Sequence, residues 1–593
     1  MTMFNLSEIT EQLNQANEKT CQTGVSFNGK SLKLNNESDA EVVVRAIEEC
    51  PNLEYLDLEG NTLGPDAAKA VAKALEVKGS SLKRALWKDM FTGRMKTEIP
   101  LALEYLGAGL CIAKTRLVEL DLSDNAFGPI GVKGLATLLS SSACFTLREL
   151  RLNNNGLGIT GGKMLAKALL DCHANSSKEN AMQPLALRVF VAGRNRLENE
   201  GAEALAKVFT KLTTLEEISM PQNGIYHKGV AALAKALSAN PRLKIMNLND
   251  NTVGPKGARA LAKSLPNLPE LERLNLGDCL LKTRGAVVLA EALAKEGAHP
   301  NLMELNLSFN EIGAASVDAI AAAVVDKQEL TSLLIDGNVF GTAGRKNLQE
   351  ALNASQKISI LGSLDEDESE SEGESQSDNE NESASSDEEG KNSEAEKEDD
   401  EEEVKPTADK DKLEITVQDF LTNPTAENLL RLKGDKLQSL LEQAKGLPGG
   451  GDELQGKRYP EDLAKTIMKV SALCASGYMD ARIEAERLTE SLYAELFAYA
   501  ASNNQVARLN NVLLVNLGLI KSEDKAAGRI DWNLEGCFKA LEKVSQKEYF
   551  LQQTKDTLKV FIEMPTKSGR VRSDPIQEAK TSLKSVLDQI RST

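Results

Sequence analysis

Three stretches of this 593-residue chain set chemically capable side chains close together. The first is SLKRALWKDMFTGRMKTEIP, which gathers Trp87, Lys88, Asp89, Arg94 and Lys96. Arg offers a planar fork of donors and Lys a point charge, so such a cluster suits an acidic or phosphate-bearing partner. The second is LRLNNNGLG, with three asparagines in a row, among them Asn154. The third is VAGRNRLENEG, where Arg194 and Arg196 flank Asn195.

Other chemistries find no support. GDELQGKR (451–458) fits the start of a phosphate loop but ends in Arg458 where a Ser or Thr is required. No hydrophobic strand precedes it, and Pro448, Gly449 and Gly450 read as a loop between helices. The three His (173, 227 and 299) lie far apart, with no nucleophile–base arrangement among them. Eight Cys are scattered without a CxxC pair, which argues against a zinc site or disulfide framework and for a reducing compartment. The expectation is a chain with no metal, no cofactor and no active site of its own.

A surface lysine carries a further signal. Ile520-Lys521-Ser522-Glu523 has the pattern of an acceptor for the small modifier SUMO. In that pattern the apolar side chain docks on the conjugating enzyme, the lysine extends, and the carboxylate meets basic residues. Met95-Lys96-Thr97-Glu98 fits more loosely. Lys521 is favoured because it follows an apolar helix and opens the polar stretch KSEDKAAGR.

The elements that position these residues come from a repeat. The frame L-x-x-L-x-L-x-x-N recurs as LEYLDLEGN (53–61), LVELDLSDN (117–125), LRELRLNNN (147–155), LEEISMPQN (215–223), LKIMNLNDN (243–251), LERLNLGDC (271–279), LMELNLSFN (302–310) and LTSLLIDGN (330–338). LRVFVAGRN (187–195) is a poorer copy. The commonest step is 28 residues; a step of 64 holds an irregular repeat and a step of 40 holds an insertion around DCHANSSKENAMQ. Each frame precedes a helix with apolar residues at i, i+3/i+4 and i+7, as in EGAEALAKVFTKL. The two leucines of LxL share a face towards that helix, and stacked units share one core. The fold predicted is an α/β leucine-rich-repeat horseshoe of the ribonuclease-inhibitor type, with an atypical first repeat as a cap. The final Asn of each frame is the ladder residue between turns. Asn155 fills that place, which leaves Asn154 at an exposed corner.

The horseshoe is expected over 1–360. Residues 361–410 are acidic and of low complexity: from Asp365 to Glu403 there are 21 Asp/Glu against two Lys, while the whole chain carries −18. The rest of the chain is thus nearly neutral, which excludes a basic nucleic-acid binder. Such a tract cannot bury a core and is expected to be disordered. Helical spacing returns over 411–593, read as a separate all-α domain. The first residues are too polar for a signal peptide, and no run approaches the roughly 18 apolar residues of a membrane span. A soluble intracellular protein without membrane insertion is expected.

The strings DMFTGRMKTEIP, LDLSDNAFGP, LNNNGLG, FVAGRNRLENEG, MPQNGI, LNDNT, GDCLL and LNLSFNEI, in this order, resemble the animal family of Ran GTPase-activating proteins along the whole chain. The resemblance implies a horseshoe that binds Ran·GTP and accelerates its hydrolysis, with GTP and Mg²⁺ carried by Ran. It implies that Asn154 orients Ran's catalytic glutamine, that Arg94 supports binding and geometry without entering the active site, and that Lys96, Asn125 and Arg194 contact the partner. It further implies SUMO attachment at Lys521 by the SUMO-conjugating enzyme, docking to a nuclear pore cytoplasmic-filament protein, a Ran-binding protein as a partner, and residence in the cytoplasm and at the outer face of the nuclear envelope. The competing readings are a non-catalytic leucine-rich-repeat inhibitor and a scaffold acting through the acidic and helical regions alone.

Overall fold

The computed structural model of the chain describes residues 23–180, 183–366, 415–446, 452–521, 530–562 and 575–589. The acidic tract beyond Glu366 therefore lies outside the described residues, as do Ser522 and Glu523.

Three-residue strands recur once per repeat and pair in chain order, forming an 11-stranded parallel sheet among the described residues. It runs from Gly24–Ser26 to Ser332–Leu334. Register stacks the central strand residues: Leu120 faces Leu150, then Phe190, Ile218, Met246, Leu274, Leu305 and Leu333. All are buried. Each short strand buries its central side chain, the apolar residue after the strand is buried in every turn from Leu58 to Ile335, and the helices close the core from outside.

Asparagines stitch the turns together. Asn223 Nδ2 donates to Ala192 O at 2.9 Å in the preceding turn, and its Oδ1 accepts from Asn195 N at 3.0 Å. Asn155, Asn195, Asn251, Asn310 and Asn338 bridge in the same way. These amides are buried, where an unpaired polar group costs about 1–3 kcal/mol; each has a partner at both its oxygen and its nitrogen.

The two irregular segments keep the plan. In SLKRALWKDMF the strand Arg84–Leu86 pairs on both sides. Trp87 is buried and takes the place of Leu58, and Met90 stands where the ladder residue would be. The next ladder residue still bridges to this turn: Asn125 Oδ1 accepts from Met90 N and Phe91 N at 2.8 and 3.1 Å, and its Nδ2 donates to Trp87 O at 2.9 Å. At the second gap Cys279 Sγ donates to Leu248 O at 3.2 Å. The poorer copy at 187–195 forms a full turn, with strand Val189–Val191 and Asn195 in the ladder. The inserted residues extend a helix, Gly158–Glu179, to 22 residues against 12 and 15 in the helices Gly128–Leu139 and Glu198–Leu212 either side.

From Val417 onward the described elements are all helical, around a core that includes Leu492, Tyr493, Phe497, Phe538 and Phe550. Asp452 to Arg458 of GDELQGKR fall in the first turns of helix Asp452–Ser471, and Gly451 lies outside the described residues. This unit meets the outer, helical side of the horseshoe. Asp480 accepts from Ser142 N–H at 2.9 Å and Oγ at 2.5 Å, and Arg482 lies 3.8 Å from Glu104. Met479 packs over Gly107, where a Cβ would stand 3.0 Å from its methyl carbon. These contacts leave the strand-to-helix loops uncovered.

Asn223→Ala is expected to cost about 2 kcal/mol or more, because it strips the buried Asn195 N–H of its acceptor and Ala192 O of a donor. Calorimetry of the full chain should show the horseshoe transition several degrees lower. An unmoved transition would mean that the ladder contributes nothing to stability.

Candidate functional site

The residue before each ladder position adopts a left-handed backbone. Asp124 (φ 59), Asn154 (φ 51), Arg194 (φ 58), Gln222 (φ 52), Asp250 (φ 55) and Asp278 (φ 49) repeat this along one edge. Asn and Asp tolerate this region because their short side chains bond locally. With the next residue turned into the core, the left-handed residue turns out, and its backbone N–H bonds the neighbouring turn. Asp124 N donates to Asn153 O, Asn154 N to Gly193 O and Arg194 N to Pro221 O, at 2.8, 2.8 and 2.9 Å. Gly193 is required here: a Cβ would lie 2.7 Å from Pro221 Cγ, and its N–H donates to Asn153 Oδ1 at 2.7 Å.

Asn154 is exposed, with Nδ2 donating to Asp124 Oδ1 at 2.9 Å. Arg194 is exposed next to it in the row, its Nε donating to Gln222 Oε1 at 2.8 Å. The edge continues into a cleft of about 520 Å³ bordered by Arg196, Gln222, Tyr226, Asp250 and Leu280.

Arg94 faces the chain itself. Its Nε donates to Thr62 Oγ1 at 3.0 Å, and its Nη2 to Leu34 O at 3.0 Å and Thr62 O at 2.9 Å. The guanidinium is half-buried and ties the irregular repeat to the two turns before it, across the small sheet formed by Lys33–Leu34 and Thr62–Leu63. Lys96 is exposed, without an ion-pair partner among the described residues. Lys88 is 3.0 Å from Glu59 and 3.9 Å from Asp124. Its ammonium is held above the usual lysine range, first by the Glu59 hydrogen bond and charge, then, against a small effect of burial, by Asp124 and Asp121. The basic cluster seen in the sequence is thus divided: Trp87 in the core, Lys88 paired, Arg94 clamped, Lys96 free.

Asn125 departs from expectation. It is buried, its Nδ2 donates to Trp87 O, Leu122 O and Ser123 O, and its Oδ1 is taken by Met90 and Phe91. No part of its amide is left for a partner, and the exposed role passes to Asp124 one residue earlier. The signal was present: every residue preceding a ladder Asn occupies the outward corner, and the rule that singles out Asn154 also singles out Asp124. Lys521 is exposed and follows a half-buried Ile520 packed on the helical core; Glu523 of the same motif lies outside the described residues.

Burial pushes the thiols of Cys279, in the ladder, and Cys111, on an outer helix, up to about 12, so neither offers thiolate at neutral pH. Among the described residues no group of three or more His, Cys, Asp or Glu could hold a metal ion. What the edge supplies is an amide with a free carbonyl, flanked by charges, in a row shaped for another molecule's surface.

Comparison with known proteins bears on that molecule. Residues 388–588 match the profile of the RanGAP1 C-terminal domain. Five segments between 49 and 321 match the Leucine Rich repeat profile. The chain is 51% identical over 584 residues to Ran GTPase-activating protein 1 of Xenopus laevis, covering 95% of this chain and 96% of that one. It is 48% identical over 226 residues to Ran GTPase-activating protein of Drosophila melanogaster, covering 38% and 36%. Against Ran GTPase-activating protein 1 of Saccharomyces cerevisiae identity is 33% over 204 residues, covering 34% and 49%.

Arg94→Lys keeps the charge but not the fork that reaches two carbonyls. Hydrogen exchange should then speed up around Leu34, Thr62 and Gly64, with little change beyond the fifth turn. Unchanged exchange there would remove the clamp role.

Proposed function

This chain belongs to the family of Ran GTPase-activating proteins, and we propose that it binds Ran·GTP along the loop edge of its horseshoe and accelerates hydrolysis by orienting Ran's catalytic glutamine with Asn154. Phosphoryl transfer asks a protein mainly to place the attacking water and to offset charge on the phosphoryl oxygens. Ran brings the nucleotide, Mg²⁺ and the glutamine; this chain brings a second amide that holds the first in its productive rotamer. The observation that carries this reading is the state of Asn154: exposed, set outward by the ladder, and with Oδ1 unpartnered among the described residues.

Arg94, spent on Leu34 and Thr62, supports the geometry of this edge and is not an arginine finger. Lys96 and Arg194 contact Ran's surface beside the site. Lys521 takes SUMO from its conjugating enzyme, supported by its exposure in the non-helical chain just beyond helix Val506–Asn516. The conjugated chain docks on a filament protein at the cytoplasmic face of the nuclear pore, near a Ran-binding protein, and the remainder works in the cytoplasm. Hydrolysis there releases export cargo and maintains the nucleotide gradient across the envelope.

Single-turnover hydrolysis of Ran·GTP tests the central step. The wild-type chain should accelerate it, and Asn154→Ala should lose about 10³-fold or more, within the range spanned by residues supplied in trans, while still binding Ran. Acceleration unaffected by Asn154→Ala would refute the assignment; no acceleration by the wild type would leave a binding horseshoe of the inhibitor kind. In a reconstituted conjugation, Lys521→Arg should abolish the SUMO adduct and Lys96→Arg should leave it intact. An adduct that survives Lys521→Arg would move the site elsewhere.

A further inference from the structure

Asn154 uses only one side of its amide within the chain. Nδ2 donates to Asp124 Oδ1 at 2.9 Å, and Oδ1 has no partner among the described residues. An ionised carboxylate can only accept. Pairing with Asp124 therefore admits a single orientation of the Asn154 amide, with the NH₂ turned in and the carbonyl turned out.

Asp124 is itself firmly placed. It sits in the left-handed region at φ 59, and its N–H donates to Asn153 O at 2.8 Å. The buried Asn125 anchors it on one side. Its Oδ2 lies 3.9 Å from Lys88 Nζ, which is held 3.0 Å from Glu59. Glu59, Lys88, Asp124 and Asn154 come from four consecutive turns of the edge, so a line of alternating charge ends on one neutral amide.

We propose that Asp124 is a positioning residue that sets the polarity of Asn154, and with it the polarity of the hydrogen-bond chain across the interface. This rests on the role given to Asn154 above. With its carbonyl outward, Asn154 accepts from the Nε2 of the GTPase's glutamine. The glutamine's own carbonyl oxygen then faces the attacking water and accepts one of its hydrogens, which leaves a water lone pair free to face phosphorus. A reversed Asn154 would bind the glutamine by its carbonyl and turn its NH₂ towards the water, where it offers no acceptor.

The test is a double-mutant cycle in the full chain, read as kcat and KM for Ran·GTP. Asp124→Ala should lower kcat about tenfold or more, the size of one charge-assisted hydrogen bond, with KM within about twofold. In an Asn154→Ala background the same change should do nothing further, because coupled residues are not additive. Asp124→Asn, which keeps a carbonyl acceptor, should recover part of the loss, and its melting temperature should match the wild type. Losses that multiply in the two backgrounds, or a rise in KM at constant kcat, would overturn the positioning role while leaving Asn154 in place. A wild-type kcat in Asn154→Ala alone would overturn both.

Discussion

A buried amide that must satisfy both of its ends governs this molecule. In the described turns from Asn61 to Asn338 the ladder residue reaches back to a carbonyl of the turn before; at Cys279 a thiol does so in place of the amide, and Met90 is the exception. Parallel strands of three residues have few ladder bonds of their own, so the side-chain bridges set the spacing and register of the stack. Once that residue is committed inward, the residue before it has one conformation left, the left-handed one, and one direction, outward. The edge offered to a partner is thus a by-product of core satisfaction.

The same logic separates two residues that chemistry alone would treat alike. Arg94 has the group expected of an arginine finger, yet its donors go to Leu34 and Thr62, holding the cap against the irregular repeat. Asn154 has a modest group, yet it stands exposed on the edge with its backbone N–H and its Nδ2 both held by neighbouring turns. An amide suits such a place: it needs no pKa adjustment and costs little entropy once its neighbours hold it. The C-terminal helices meet the opposite, helical side through Asp480 and Arg482, so these contacts leave the edge that carries Asn154 uncovered.

Much of this was legible in the sequence because it is periodic. The 28-residue step locates the strands, the helices and Asn154, and the poorer copy at 187–195 forms its turn although two of its frame leucines are replaced, by Phe190 and Ala192. What escaped was what periodicity does not carry. The resemblance points to Asn125 as a contact residue, whereas the same period places it in the core. That period also places Asp124 beside Asn154. The partners of Arg94 are backbone carbonyls 60 and 32 residues away, and carbonyls have no signature in a sequence. The contact of Asp480 with Ser142 spans 338 residues and joins two units with unrelated patterns.

The most direct test of the account is a structure of the complex with Ran holding GDP and a fluoride mimic of the transferring phosphoryl group. The prediction is that Asn154 Oδ1 lies within hydrogen-bond distance of the glutamine Nε2, with Nδ2 still on Asp124 and Arg94 still on the carbonyls of Leu34 and Thr62. An Arg94 guanidinium swung onto the phosphoryl mimic, with Asn154 away from the glutamine, would contradict it.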